Sequence, residues 1–116
     1  MLQKQRSSGL AARGRAYAPV FAALGDETRL ALVAKLCGGQ RRSISQLTKG
    51  SKLTRQAITK HLRVLERVGI VHSVPAGRES LFQFDPARIE EMRKYLDFVS
   101  EQWDQALGRL KSFIED

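Results

Sequence analysis

Apolar residues recur at helical spacing over most of the chain beyond residue 16. This pattern predicts a short first helix over residues 17–24 and a second helix after Asp26, whose residue type commonly caps helix N-termini. The second helix is predicted to end at Gly38-Gly39. Its expected core-facing residues are Leu30, Val33, Ala34 and Cys37. The first third of the chain therefore predicts two packed helices.

The segment from residue 45 to residue 69 predicts two further helices with a tight link between them. Ser45 is expected to cap a very short helix, and Thr54 to cap a longer one over residues 55–68 that Gly69 ends. On a helical wheel the longer helix separates into two faces. The apolar face comprises Ala57, Ile58, His61, Leu62, Val64, Leu65 and Val68. The polar face comprises Arg55, Gln56, Thr59, Lys60, Arg63, Glu66 and Arg67.

The last part of the chain predicts a hairpin followed by a long helix. Residues 70–74 and 81–84 are short β-prone runs, and the tip between them contains Gly77 and Arg78. In a helix over residues 86–115, apolar residues alternate at spacings of three and four, which defines a heptad seam. The seam comprises Ile89, Met92, Leu96, Val99, Trp103, Ala106, Leu110 and Phe113.

A domain of this size cannot cover the whole seam, so we predict that a second copy of the chain buries it. The residues expected in this homodimer interface are Phe21, Leu96, Val99, Trp103, Leu107 and Leu110. Trp103 is interpreted as an interface anchor, with an aromatic effector pocket as the alternative.

The length of 116 residues fits one domain rather than two. Residues 1–16 carry a charge of +4 and no apolar period, so we predict a basic, flexible N-terminal arm before a single domain over residues 17–116. No apolar run approaches the roughly 20 residues of a membrane-spanning helix, so we expect a cytoplasmic protein with no membrane partner.

The net charge of +8 is unevenly distributed, because residues 41–86 hold nine basic and three acidic residues whereas residues 87–116 carry a charge of −2. A basic middle segment favours a polyanionic partner, although a solvated basic face would give the same composition. A short helix, a tight turn, an amphipathic helix with a basic face and a hairpin are the parts that read the DNA major groove. We therefore predict a mainly α protein with a small β-hairpin wing, which is a winged helix-turn-helix fold with a long C-terminal dimerisation helix.

The residues expected to contact double-stranded DNA surround the start of the basic helix. The candidates for base contacts are Arg55, Gln56, Thr59 and Lys60. The candidates for phosphate contacts before the helix are Ser51, Lys52 and Thr54. Arg78 at the hairpin tip is a candidate for a contact with the adjacent minor groove or with its phosphates. Arg63 lies further along the helix and fits either role.

Two other side chains have a structural and a functional interpretation. His61 lies on the apolar arc, so a packed, hydrogen-bonded histidine is favoured over a DNA contact or a metal ligand. Cys37 is interpreted as a small core residue, with a redox sensor as the alternative. The sequence has no nucleophile with an associated base, no paired carboxylates in an apolar setting and no phosphate-binding glycine loop, so no enzymatic activity is expected.

Two stretches resemble the ArsR/SmtB family of bacterial transcription regulators: residues 21–30, FAALGDETRL, and residues 57–71, AITKHLRVLERVGIV. The wing-like segment from Gly77 to Phe84 extends the resemblance, which covers about residues 17–115. This resemblance implies dimeric winged helix-turn-helix repressors that bind near-palindromic operators, many of them released by metals. The Trp103-bearing last helix resembles a metal-independent subgroup that is often encoded beside a START-like lipid-binding or ligand-binding protein.

The chain departs from the metal-binding members of that family. The family's Cys-x-Cys motif falls on Ser43-Ile44-Ser45, and serine hydroxyls are poor ligands for soft metals. The family's other metal site needs a histidine on the last helix, and none follows His72. We therefore expect no metal site and no cofactor, and the effector stays unknown. The alternatives to such a repressor are a thiol-responsive repressor that uses Cys37 and a winged-helix module that binds protein or RNA.

Overall fold

The computed structural model describes residues 2–115, and the side chains of residues 12–115. Its helices are α1 (Leu2–Leu24), α2 (Glu27–Leu36), α3 (Ile44–Thr48), α4 (Arg55–Arg67) and α5 (Pro86–Glu115). Its strands are β1 (Arg42–Ser43), β2 (Val71–Ala76) and β3 (Glu79–Phe84). This mainly α architecture, with a small sheet and a long last helix, confirms the predicted fold class.

Helix α1 is longer than the sequence pattern indicated. Residues 2–16 are helical, although the sequence pattern predicted no element there. The flexibility of this arm stays a prediction, and Met1 lies outside the described residues. Alanine, leucine, glutamine, lysine and arginine dominate this segment, and their strong helix propensities outweigh two glycines. Among the described side chains of α1, Val20 and Ala23 near its C-terminal end are buried in the core.

Helix α2 begins as predicted but buries a different face. The Asp26 carboxylate accepts a hydrogen bond from the backbone N–H of Arg29 at 3.0 Å, which confirms the predicted N-cap. The buried residues are Leu32, Val33 and Leu36, whereas Leu30, Ala34 and Cys37 are exposed. Apolar residues lie on both sides of this helix, so periodicity alone did not select the side that packs. The prediction of Cys37 as a core residue is therefore wrong.

Helix α3 is capped by Ser43 rather than by Ser45. The Ser43 hydroxyl accepts from the backbone N–H of Gln46 at 3.1 Å, and the Gln46 side-chain carbonyl accepts from the backbone N–H of Ser43 at 2.8 Å. This reciprocal pair is a capping box, which satisfies two backbone donors at once. Ser43 is buried as a result, and it also belongs to strand β1, which the sequence pattern did not predict.

The sheet is antiparallel in the order β1-β3-β2, and the last two strands form the wing. The strands extend further than predicted, so the turn shrinks to Gly77 and Arg78. Gly77 has a φ of +63°, a backbone conformation that favours glycine in a two-residue hairpin turn. Pro75 is tolerated in β2 because β2 lies at the edge of the sheet.

One hydrophobic core lies between α1, α2, α4 and the sheet, and the first turns of α5 close it. Its buried residues are Val20, Ala23, Leu32, Val33, Leu36, Leu47, Ile58, Leu62, Leu65, Ile70, Val71, Phe82 and Met92. Among residues 2–115, no helix is long and apolar enough to cross a membrane.

Candidate nucleic-acid interface

Helix α4 has the two faces that its sequence predicted. Ile58, Leu62 and Leu65 are buried in the core, and most of the basic side chains face outward. The Thr54 hydroxyl accepts from the backbone N–H of Ala57 at 3.1 Å, which confirms Thr54 as the N-cap. The apolar face therefore fixes which side of α4 the protein presents to a partner.

The candidate DNA contacts surround the first turns of α4 and the wing tip. Those that are exposed are Lys52, Thr54, Arg55, Gln56, Lys60, Arg63 and Arg78, whereas Ser51 and Thr59 are half-buried. Arg55 Nη1 donates to the Ser45 hydroxyl at 3.1 Å, which ties the start of α4 to α3. The Thr59 hydroxyl donates to the carbonyl of Arg55 at 2.8 Å, a hydrogen bond within the helix.

A cluster that the sequence analysis missed joins α4 to the wing. Arg63 Nη1 contacts Glu66 Oε1 at 2.7 Å, and the Ser73 hydroxyl donates to Glu66 Oε2. The Arg63 guanidinium carbon also lies 5.6 Å from the centroid of the Phe82 ring. The hydrogen bond from Ser73, together with the adjacent Arg63 cation, lowers the pKa of Glu66 below its ordinary value. Ser73 lies on another element, so helical periodicity could not reveal this contact.

His61 connects α4 to the junction between α1 and α2. Arg29 Nη1 donates to His61 Nδ1 at 3.2 Å, and Arg29 Nε donates to the carbonyl of Ala23 at 2.5 Å. The Asp26 carboxylate lies 3.8 Å from the same ring nitrogen. The half-buried, hydrogen-bonded His61 confirms the structural interpretation that the sequence favoured.

The C-terminal end of α4 is held by the start of α5. Arg88 Nε donates to the carbonyl of Val68 at 3.1 Å, where a cation is favourable at a helix C-terminus. The backbone N–H of Asp85 donates to the carbonyl of Ile70 at 2.8 Å, and the Asp85 carboxylate contacts His72 Nε2 at 2.5 Å. These contacts connect α4, the wing and α5 at one junction.

The predicted dimer residues divide into two groups. Phe21 and Val99 are half-buried, and the Phe21 ring centroid lies 6.2 Å from that of Tyr95. Leu96 is exposed, and from Trp103 onward the large apolar side chains of α5 are uncovered, with Trp103 itself 65% exposed. The exposed large apolar residues of α5 are Leu96, Trp103, Leu107, Leu110, Phe113 and Ile114. We call these six residues the distal stripe.

The two serines at the family's metal positions have structural partners here. Ser43 caps α3, and Ser45 accepts the hydrogen bond from Arg55. Within the part of the chain that the structure describes, no three His, Cys, Asp or Glu side chains converge where they could hold a metal ion.

Comparisons with known proteins agree with this geometry. A family model described as a helix-turn-helix domain matches residues 24–74. The HTH-type transcriptional regulator Rv2034 of Mycobacterium tuberculosis is 34% identical over 93 residues, which cover 80% of this chain and 83% of that protein.

Solved structures extend the likeness to the whole fold. The ArsR-like transcriptional regulator from Rhodococcus sp. RHA1 is 35% identical, with a TM-score of 0.81 over 90% of this chain and 95% of that one. Mb0332 from Mycobacterium bovis, described as a homodimeric winged helix-turn-helix DNA-binding domain, is 20% identical, with a TM-score of 0.60 over 79% and 84% of the two chains. The helix-turn-helix match, the identity over most of the chain and the shared fold show that this protein is a DNA-binding transcription regulator of the ArsR family.

Proposed function

We propose that the chain is a dimeric repressor that binds a near-palindromic operator in the cytoplasm, with α4 in the major groove. The observation that carries this proposal is the exposed basic face on α4, a helix whose opposite face is buried in the core. A helix fits the major groove, and arginine, lysine and glutamine side chains can bond to base edges there.

Each candidate contact takes a role from its position. The proposed base-reading residues, in the first turns of α4, are Arg55, Gln56, Thr59 and Lys60. The proposed phosphate contacts are Ser51, Lys52 and Thr54 before α4, together with Arg78 at the wing tip. Base contacts discriminate between sequences, whereas phosphate contacts hold the protein in register.

The distal stripe is the observation that supports a homodimer, in which a second copy of the chain is the protein partner. Six large apolar side chains along one helix exceed the scattered apolar exposure of an ordinary monomer surface. A two-fold symmetric pair would bury the same stripe from both chains. The same symmetry presents two α4 helices to half-sites about 34 Å apart, which is why we propose a near-palindromic operator.

The test compares the wild type with Gln56→Ala. Footprinting locates the operator in the DNA upstream of the protein's own gene, and titration measures the affinity of each protein for that operator. We expect the affinity for each half-site of the operator to fall by about 5-fold to 150-fold, since a bidentate base contact discriminates by about 1–3 kcal/mol. The affinity for unrelated duplex should not change. Gln105→Ala, which removes an exposed glutamine from α5, is the matched control and should leave both affinities unchanged. An equal loss on both duplexes would contradict base reading at Gln56, and tighter binding to RNA would favour an RNA-binding module.

A further inference from the structure

Glu66 is an unexpected residue on the DNA-facing side of α4. It is the single acidic residue of the polar face, which otherwise carries Arg55, Gln56, Thr59, Lys60, Arg63 and Arg67. A carboxylate near the phosphates of DNA is repelled by them. Glu66 therefore needs a role that outweighs this repulsion.

Both carboxylate oxygens of Glu66 already have partners within the chain. Oε1 accepts from Arg63 at 2.7 Å and Oε2 accepts from the Ser73 hydroxyl, which leaves the side chain 29% exposed. Ser73 on β2 pairs in register with Phe82 on β3, and the Arg63 guanidinium lies over the Phe82 ring. One glutamate thus closes a cluster that spans α4, β2 and β3.

The matched ion pair for comparison lies within α5 alone. Glu90 with Arg93 has the same spacing of three residues within one helix, at 3.6 Å between Glu90 Oε2 and Arg93 Nη1. Such exposed pairs within a helix contribute little to stability. Glu66 differs because its second oxygen reaches the wing, and a charge-assisted hydrogen bond between two elements restricts how they sit relative to each other.

We propose that Glu66 is a positioning residue for DNA binding, which fixes the wing relative to α4 and holds Arg63 against the sheet. This inference rests on the proposed placement of α4 in the major groove. Ser73 lies five residues before Arg78, about 16 Å along an extended strand. A tilt of 10° at Ser73 would therefore move the wing tip by about 3 Å, which is the length of a hydrogen bond to phosphate.

The proposal assigns Arg63 a role different from those of Arg55 and Lys60. Glu66 binds Nη1 of Arg63, and the guanidinium lies over the Phe82 ring, so the proposal assigns Arg63 to holding the wing rather than to a phosphate contact of its own. Removal of the carboxylate charge would release Arg63 to the DNA backbone. Sequence-independent binding should then strengthen while the discrimination between operator and unrelated DNA weakens.

The experiment compares Glu66→Gln with Glu90→Gln, which removes the same charge from the matched pair on α5. For Glu66→Gln we expect the ratio of operator affinity to non-specific affinity to fall about tenfold, as for the loss of one charge-assisted interaction. The salt dependence of non-specific binding by the dimer should steepen by about 1.8, which is about 0.9 for one additional phosphate contact on each chain. Glu90→Gln should leave the ratio unchanged.

Two further variants separate position from charge. Glu66→Asp keeps the charge but is too short to reach both partners, so we expect it to lower the ratio as well. Ser73→Ala should lower the ratio in the same direction, and its combination with Glu66→Gln should cost less than the two separate losses together. Circular dichroism melts of each variant establish that the loss of discrimination occurs in folded protein.

The outcomes distinguish this inference from the proposed function. The inference alone is overturned by the following combination of results. The wild type binds its operator, Gln56→Ala weakens that complex, and Glu66→Gln has the same affinity ratio and the same salt slope as Glu90→Gln. If the wild type makes no specific complex with the operator, the proposed function is overturned and the inference with it. A lowered ratio for both Glu66→Gln and Glu66→Asp supports the inference.

Discussion

Helix α4 and the distal part of α5, residues 96–115, are both amphipathic, but the apolar side is buried in α4 and exposed in the distal α5. The apolar side of α4 is buried in the core, so its free surface is charged and polar. The apolar side of the distal α5 is exposed, with Phe113 at 82% and Trp103 at 65%. Basic groups attract a polyanion, whereas uncovered apolar area favours association with another apolar surface. The face that each helix leaves uncovered therefore indicates its class of partner.

The two helices also differ in how firmly the chain holds them. Arg29 contacts α4 from α2, Ser73 contacts it from β2, and Arg88 contacts its C-terminal end from α5. Side chains that must meet base edges need this support, since a shift of about 1 Å separates a hydrogen bond from a weak contact. Among the described residues, the distal α5 has no comparable side-chain hydrogen bond to another element. Its position is expected to depend on the second copy.

We expect the largest effect from Trp103→Glu, which places a carboxylate on the exposed apolar side of α5. A carboxylate in the middle of the distal stripe would lose its hydration on association, and an aromatic anchor would be lost with it. We expect the dimer dissociation constant to rise at least about a hundredfold, equivalent to about 2.7 kcal/mol. Sedimentation velocity over a range of concentrations measures this change.

The matched control for Trp103→Glu is Gln105→Glu, which adds the same charge to an exposed position outside the heptad seam. It should leave the dimer intact. Operator affinity should fall for Trp103→Glu, because two half-site contacts then no longer act together. If both variants stay dimeric at nanomolar concentration, the distal stripe is not the dimer surface.

The sequence was informative where one helix face had a single possible assignment. In α4 the buried residues Ile58, Leu62 and Leu65 and the outward basic residues follow from periodicity alone. In α2, Leu30 and Leu32 lie on different sides of the helix, and only packing against the other elements selects Leu32. Periodicity therefore predicts a face correctly when the opposite face is polar.

Contacts between distant elements were beyond the sequence pattern. Arg29 and His61 are 32 residues apart, and Glu66 and Ser73 lie on a helix and a strand. No local spacing rule connects such pairs, because they depend on the final packing. The heptad seam shows the same limit, since its first residues, including the buried Met92, pack in the chain's own core rather than against a partner.

We expect a smaller effect from Arg78→Ala, which tests the contribution of one basic side chain of the wing to DNA binding. Arg78 is exposed at the wing tip, beyond the base-reading part of α4. Loss of one phosphate contact per chain should weaken operator and unrelated DNA alike, by about threefold to tenfold per contact, and lower the salt slope of the dimer by about 1.8, which is about 0.9 per contact. Fluorescence anisotropy titrations at several salt concentrations give both values.

The control for Arg78→Ala is Arg93→Ala, which removes the same charge from an exposed position on α5. It should leave the salt slope within error of the wild type. A selective loss of operator binding by Arg78→Ala would instead place the wing tip in a groove, in contact with bases.

We expect the smallest effect on the pH dependence of stability. It involves one carboxylate at the start of α5 and one beside α4. Asp85 caps the start of α5, and the backbone N–H of Ala87, together with His72, lowers the pKa of Asp85 below its ordinary value. Asp26 lies beside His61 of α4, and the backbone N–H of Arg29, with the Arg29 charge and His61, lowers the pKa of Asp26. A carboxylate whose pKa is lower in the folded state stabilises the fold at neutral pH.

This stabilisation is present above the ordinary pKa of aspartate, 3.8, and is lost as the pH falls through the lower value of the folded state. Asp85→Asn and Asp26→Asn should therefore each reduce the loss of unfolding free energy between pH 5 and about pH 3, measured by urea denaturation. Asp97→Asn, at an exposed position of α5, is the control. Because alanine cannot accept the hydrogen bond from the Ala87 N–H, Asp85→Ala should also weaken the dimer at neutral pH, whereas Asp26→Ala should not. An equal effect of both variants on the dimer would show that α5 is not positioned through its N-cap.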